Sequence, residues 1–225
     1  MVAPRRLSDF RLIAFDMDST LITIECIDEL ADVAGRRAEV AAITEAAMRG
    51  EITDFKDSLR RRVALLRGVP AAALEQVYQE RLRLSPGAEQ LVSACKAGGL
   101  ATLLVSGGFT FFAERVQQRL GLDWSRSNVL EIADGALTGQ LLPQAWGDIC
   151  DGAEKRRMLL QTCEALGITA AQAIAVGDGA NDLPMMNACA EAGGLSVAYC
   201  AKPAVRAQAM LAIESAGLDQ LLRLL

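Results

Sequence analysis

Four short stretches hold the residues that could do chemistry together: Asp16-Met17-Asp18-Ser19-Thr20, Ser106-Gly107-Gly108, Lys155, and Gly177-Asp178-Gly179-Ala180-Asn181-Asp182. Asp16 and Asp18 end an apolar run, Leu12 to Phe15, that has the look of a buried parallel strand. Side chains alternate along a strand, so the i, i+2 spacing predicts both carboxylates aimed at one volume. Two carboxylates that close repel unless a cation or a shared proton relieves them. Read alone, the same Asp-Ser pair could merely cap the following helix. Ser106-Gly107-Gly108 ends a second apolar run and, leading into a helix, predicts a hydroxyl and free N–H groups set for an anion; a plain glycine turn is its other reading. Lys155 falls in the first turn of a helix, where the macrodipole disfavours a cation, which predicts an ammonium reaching for something anionic, Glu154 or solvent being the plainer partners. Asp182 could cap the next helix, but capping explains one Asp and not Asp178 as well.

The rest of the composition narrows the chemistry. The chain has 225 residues, 52% of them hydrophobic, no histidine and a formal net charge of −5. Without histidine, no Ser-His or Cys-His nucleophile scheme is open. Six cysteines (Cys26, Cys95, Cys150, Cys163, Cys189 and Cys200) show no C-x-x-C spacing and read as free core thiols rather than a zinc site or redox pair. The acidic balance argues against a general nucleic-acid binder. No run has signal-peptide form or reaches the roughly eighteen apolar residues of a membrane span, so a soluble cytoplasmic protein is expected. Carboxylates converging without histidine make a hard-oxygen site suited to Mg²⁺.

The positioning elements follow from periodicity. Strand signals at 12–15, 100–105, 173–176 and 195–199, separated by helical stretches at 88–97, 109–120, 152–166 and 183–190, predict an α/β fold with a Rossmann-like parallel sheet. Residues 129–142 read as two short strands around Asp134-Gly135. Helical spacing alone fills 22–85, with helices expected at about 27–34, 36–49, 54–67 and 71–84. It interrupts the alternation directly after the first strand and reads as an inserted helical-bundle cap. The expected division is a core of residues 1–21 and 86–225 and a cap of 22–85.

Taken in order and spacing, the four stretches resemble the four motifs of the haloacid dehalogenase superfamily, and within it the phosphoserine phosphatases, over nearly the whole chain. The resemblance is to short members without the amino-terminal regulatory domain of longer ones, so feedback through such a domain is not expected. It implies a phosphomonoester hydrolase that converts O-phospho-L-serine to L-serine, the last step of serine biosynthesis, with Mg²⁺ as cofactor. The implied roles are Asp16 as nucleophile forming an aspartyl-phosphate and Asp18 as general acid and base. Ser106, the Gly107 N–H and Lys155 would hold the phosphoryl oxygens, with Asn181 also at the substrate. The metal would lie on Asp16, the Asp18 carbonyl and Asp178, and Asp182 would orient its waters or Lys155.

The cap has its own signals. On the 54–67 helix Arg62 falls within the stripe of Phe55, Leu59 and Leu66, where an arginine needs an anion or must snorkel. Glu25 starts the first cap helix, where it could also simply complement the dipole. A carboxylate and an arginine match the ammonium and carboxylate of phosphoserine. The resemblance implies those roles for Glu25 and Arg62, with Met48 and Phe55 closing over the substrate; the run 50–55 is one residue longer than the family's. The competing readings are transfer of the phosphoryl group to homoserine, another small phosphomonoester, or a non-enzymatic phospho-acceptor switch. Oligomeric state, monomer or homodimer, stays open.

Overall fold

A computed structural model describes residues 5–214 and 217–225, with the backbone alone for Met48. The sheet contains β1 (Leu12–Phe15), β2 (Ala101–Phe109), β3 (Trp124–Ala133), β4 (Ala136–Leu142), β5 (Ala173–Gly177), β6 (Leu195–Tyr199) and β7 (Leu211–Ile213). The helices are α1 (Cys26–Val33), α2 (Arg37–Met48), α3 (Phe55–Ala64), α4 (Ala72–Glu80), α5 (Ala88–Ala97), α6 (Thr110–Leu120), α7 (Gly152–Ala165), α8 (Leu183–Ala192), α9 (Pro203–Arg206) and α10 (Leu221–Leu224).

Strand order is β4-β3-β2-β1-β5-β6-β7, with β4 antiparallel to β3 and the other pairs parallel. β1 is central because both its faces are apolar: Ile13 and Phe15 enter one buried cluster, Leu12 and Ala14 the other. The chain runs from β1 to β2 on one side and later to β5 on the other, so β1 is the switch point where such sheets bind ligands. Phe15 pairs with Leu104 and with Val176, which brings Asp16, Ser106 and Asp178 within two residues of one rung.

Helices α1 to α4 occupy the interval between β1 and β2, as the helical spacing predicts. Their apolar stripes (Leu30, Val40, Leu59, Val63, Val77) join the cluster on the Ile13 and Phe15 face. α3 and α4 stop at Ala64 and Glu80, short of the expected 67 and 84. The residues after α3 form turns, and those after α4 become extended because the cap's two linkers pair with each other. Ile22 bridges Leu84, Thr23 N–H donates to Arg83 O at 3.0 Å and Ser85 N–H to Leu21 O at 2.9 Å. The β3–β4 hairpin turns at Asp134 (φ 51°) and Gly135 (φ 75°), as the dipeptide predicts. It then buttresses the cap: Gly68 N–H donates to Leu137 O, Leu137 N–H to Val69 O and Ala71 N–H to Gly135 O, each at 2.8 Å. β7 and α9, three and four residues long, are too short for periodicity to reveal. Among the described residues no helix is long and apolar enough to cross a membrane. All six cysteines are free.

Candidate active site

Asp16 leaves β1 in extended conformation and is 5% exposed. The chain then coils through one wide turn, Met17–Leu21, closed by Ile22 N–H to Met17 O at 3.0 Å. Asp18 (φ −63°, ψ 135°) and Ser19 (φ 56°) are non-helical within it. The expected pleat alternation therefore does not place Asp18; the turn does. Cys26 N–H, in the first turn of α1, donates to Asp18 Oδ1 at 3.0 Å, which fixes the carboxylate over Gly108. A Cβ on Gly108 would lie 2.4 Å from Asp18 Oδ2, so only glycine fits there.

The Ser106-Gly107-Gly108 segment also departs from expectation. It is no turn before a helix but a bulge within β2, which continues to Phe109, and α6 starts at Thr110. Between the pairs Val105–Arg126 and Phe109–Asn128, these three residues oppose Ser127 alone. Gly108 N–H is not free: it donates to the buried Ser106 Oγ at 2.9 Å. That leaves the Ser106 hydroxyl proton to be given elsewhere.

Asp151 caps α7 by accepting Glu154 N–H, and the first turn delivers Lys155 into the interior, fully buried. Its Nζ lies 2.6 Å from both Asp16 Oδ1 and Asp182 Oδ1. The misplaced cation thus has the anionic target its position predicts. Burial pulls the Lys155 ammonium down, but Asp16 and Asp182 more than offset it and hold the proton on. Losing one partner from such a buried group costs about 3–5 kcal/mol.

Asp182 is fully engaged: Oδ1 takes Lys155, and Oδ2 accepts the N–H groups of Asp178 and Gly179 at 3.1 and 2.9 Å. Asp178 accepts Thr20 Oγ1 at 3.1 Å. Asn181 sits half-buried in the same turn, its Oδ1 folded against Gly179. Asp16 Oδ1, by contrast, is engaged by the Lys155 ammonium alone among the described residues. Carboxylate oxygens of Asp16, Asp178 and Asp182 lie within 4.8 Å of one another. Burial first, then Asp182, pushes the Asp16 carboxyl well up, and the same causes raise Asp178 to about 6. Burial raises Asp18 as well. Three carboxylates crowded at a buried edge fit a hard divalent cation, which would relieve their mutual repulsion.

The cap lies over this edge. The Phe55 ring stands above Gly107, 3.0 Å from where a Cβ would be. Phe55 thus stands beside the Ser106-Gly107-Gly108 segment. Arg62 is half-buried, faces Asp28, Glu25 and Asp18, and among the described residues pairs with no carboxylate within 4.0 Å; its Nε reaches only Ser58 O at 3.4 Å. Arg60 and Arg61 instead pair with Asp148 and Asp57. Glu25 precedes α1 and accepts Ser19 Oγ at 2.6 Å. Its tip reaches water, yet enclosure by the cleft, then Asp18, pushes it up to about 8. The side chain of Met48 lies outside the described residues. Sequence reasoning did not single out Thr20, which holds Asp178, Ser19, which holds Glu25, or Asn128; Asn inside a strand is unusual enough to have been a signal.

The profile of the haloacid dehalogenase-like hydrolases matches residues 13–187. A phosphoserine phosphatase of a Polaromonas species is 68% identical over 97% of this chain and 91% of its own. A solved substrate-bound phosphoserine phosphatase complex superposes with a TM-score of 0.85 at 37% identity, covering 95% of this chain and 97% of that one. A phospho-aspartyl intermediate analogue of phosphoserine phosphatase gives the same TM-score of 0.85 and 37% identity, over 95% and 98%.

Proposed function

The chain belongs to the haloacid dehalogenase-like hydrolase family, and from that premise we propose that it is a Mg²⁺-dependent phosphatase releasing L-serine from O-phospho-L-serine. The observation that carries this reading is the Asp16 carboxylate, buried at the sheet's switch point with the Lys155 ammonium 2.6 Å from Oδ1 and the carboxylates of Asp178 and Asp182 beside it. That is the setting of a nucleophile whose target is an anion.

In this reading Asp16 attacks phosphorus and forms an aspartyl-phosphate. Asp18, held by Cys26 N–H and raised by burial, gives its proton to the departing serine oxygen and then takes one from the attacking water. The Ser106 hydroxyl, the Gly107 N–H and Lys155 hold the phosphoryl oxygens as charge builds. Asp16, Asp178 and the Asp18 carbonyl would hold Mg²⁺, which when bound supplies charge screening between nucleophile and ester. Asp182 already accepts three donors and orients Lys155 and the Asp178 turn. The substrate's carboxylate goes to Arg62 and its ammonium to Glu25, with Asn181, Met48 and Phe55 closing the site. Residues 22–85 then act as the specificity cap, and residues 1–21 and 86–225 as the catalytic core.

The test is phosphate release from L-phosphoserine with Mg²⁺ and with chelator, each with and without homoserine. Release that needs Mg²⁺ and ignores homoserine is expected. No release sinks the reading, and phosphohomoserine in the product replaces hydrolysis by transfer.

A further inference from the structure

Asn128 is 1% exposed on β3, at the rung where the β2 bulge closes against Phe109. Neither atom of its amide faces water. Nδ2 donates to Gly107 O at 2.8 Å, and Oδ1 accepts Cys150 N–H at 2.7 Å. The two partners fix the orientation of the amide, since a carbonyl can face only the NH₂ and an N–H only the oxygen. Its own backbone is pinned as well, because Thr110 Oγ1 donates to Asn128 O at 3.0 Å.

The two contacts lie on two different anion-holding segments. Gly107 is the centre of the bulge that carries Ser106. Cys150 immediately precedes Asp151, the cap of the helix that delivers Lys155. In a planar trans peptide C=O and N–H point in opposite directions. Holding the Gly107 carbonyl toward β3 therefore turns the Gly108 N–H the other way, onto Ser106 Oγ at 2.9 Å. With one lone pair so occupied, the Ser106 hydroxyl directs its proton away from Gly108.

We propose that Asn128 is a positioning residue that sets the Ser106 hydroxyl for the phosphoryl group through the Gly107–Gly108 peptide and ties that bulge to the Lys155 segment. This rests on the phosphatase reading for its reaction, though not for its geometry. Asn128→Asp keeps the size and the acceptor for Cys150 but cannot donate to Gly107; Asn128→Ala removes both bonds without adding charge.

In both variants the affinity of the Mg²⁺-loaded protein for inorganic phosphate, read by calorimetry, should fall about tenfold, as for one lost hydrogen bond, and kcat/KM for phosphoserine should follow. Inhibition by L-serine, which has no phosphoryl group, should stay unchanged, whereas a general loosening would weaken both ligands. In a Ser106→Ala background the Asn128→Ala loss should shrink, because the part that acts through the Ser106 hydroxyl is already gone. Phosphate affinity within twofold of wild type in a folded variant overturns the proposal, as does a loss that adds in full to that of Ser106→Ala. If the wild type binds phosphate but does not turn over phosphoserine, the phosphatase reading falls and the phosphate affinities still decide the role of Asn128. A wild type that binds no phosphate overturns both.

Discussion

Glu25 illustrates how a single side chain can be held in an unfavourable state that a ligand would relieve. Its carboxyl rises from 4.5 to about 8 through enclosure and the nearby Asp18. The fold therefore binds a proton that the unfolded chain has already lost, and stability falls as pH rises between those values. Glu25→Gln should raise the Tm of the substrate-free protein at pH 8 and far less at pH 5; an equal effect at both would remove this strain. Gly108 is constrained by space rather than charge. Gly108→Ala would place a methyl 2.4 Å from Asp18 Oδ2 and 3.0 Å from Ser106 Oγ, so one group or the bulge must move. Steady-state kinetics should record at least about a hundredfold loss of kcat in a protein that still folds, since displacements near 1 Å cost that much. Lys155, whose helix position already implied an anionic partner, could be understood from the sequence; Gly108 could not, because its neighbour Asp18 reaches it by a turn rather than along a strand.

At the scale of elements, α3 is held differently at its two ends. Its C-terminal end is followed by a loop that exchanges backbone hydrogen bonds with β4. Its N-terminal end, beside Phe55 and the site, is held by Lys56 Nζ to Asp148 Oδ1 at 2.9 Å and Arg60 to Asp148 at 2.5 Å. Those side chains are one-third to one-half exposed, so the pairs contribute about 1 kcal/mol or less and weaken with salt. Asp148→Asn should barely change Tm but raise KM several-fold while kcat changes less, and salt should raise KM more steeply in the wild type than in the variant. A KM equal to wild type at low salt would exclude a role for this contact in closing the cap. The helices of the cap follow from their periodicity and glycine stops, but the hairpin contact does not, because the hairpin and the 68–71 loop are separated by the whole of α4, α5, β2, α6 and β3 in the chain.

Across the whole molecule, burial sorts otherwise equivalent groups. Five of the six cysteines are buried and Cys200 is exposed. Burial pushes Cys95, Cys150 and Cys189 up to about 12, far from the thiolate that reagents attack. One thiol should therefore titrate in the native protein and six after denaturation, with mass mapping assigning the first to Cys200; modification of Cys150 in the native state would contradict the packing described. The central position of β1 shows the same division between local and global information. Its apolar run and the acidic residues after it determined that a buried strand ends in carboxylates, and the order of the four motifs determined which family the chain resembles, since pattern and propensity act over a few residues. Tertiary structure alone decided that Asp18 arrives by a turn, that Ser106 sits in a bulge, that the carboxylates of Asp182 rather than Asp18 gather with those of Asp16 and Asp178, and that Asn128 joins the β2 bulge to the segment before Lys155. These are contacts between residues distant in the chain, and only packing against a common sheet edge brings them together.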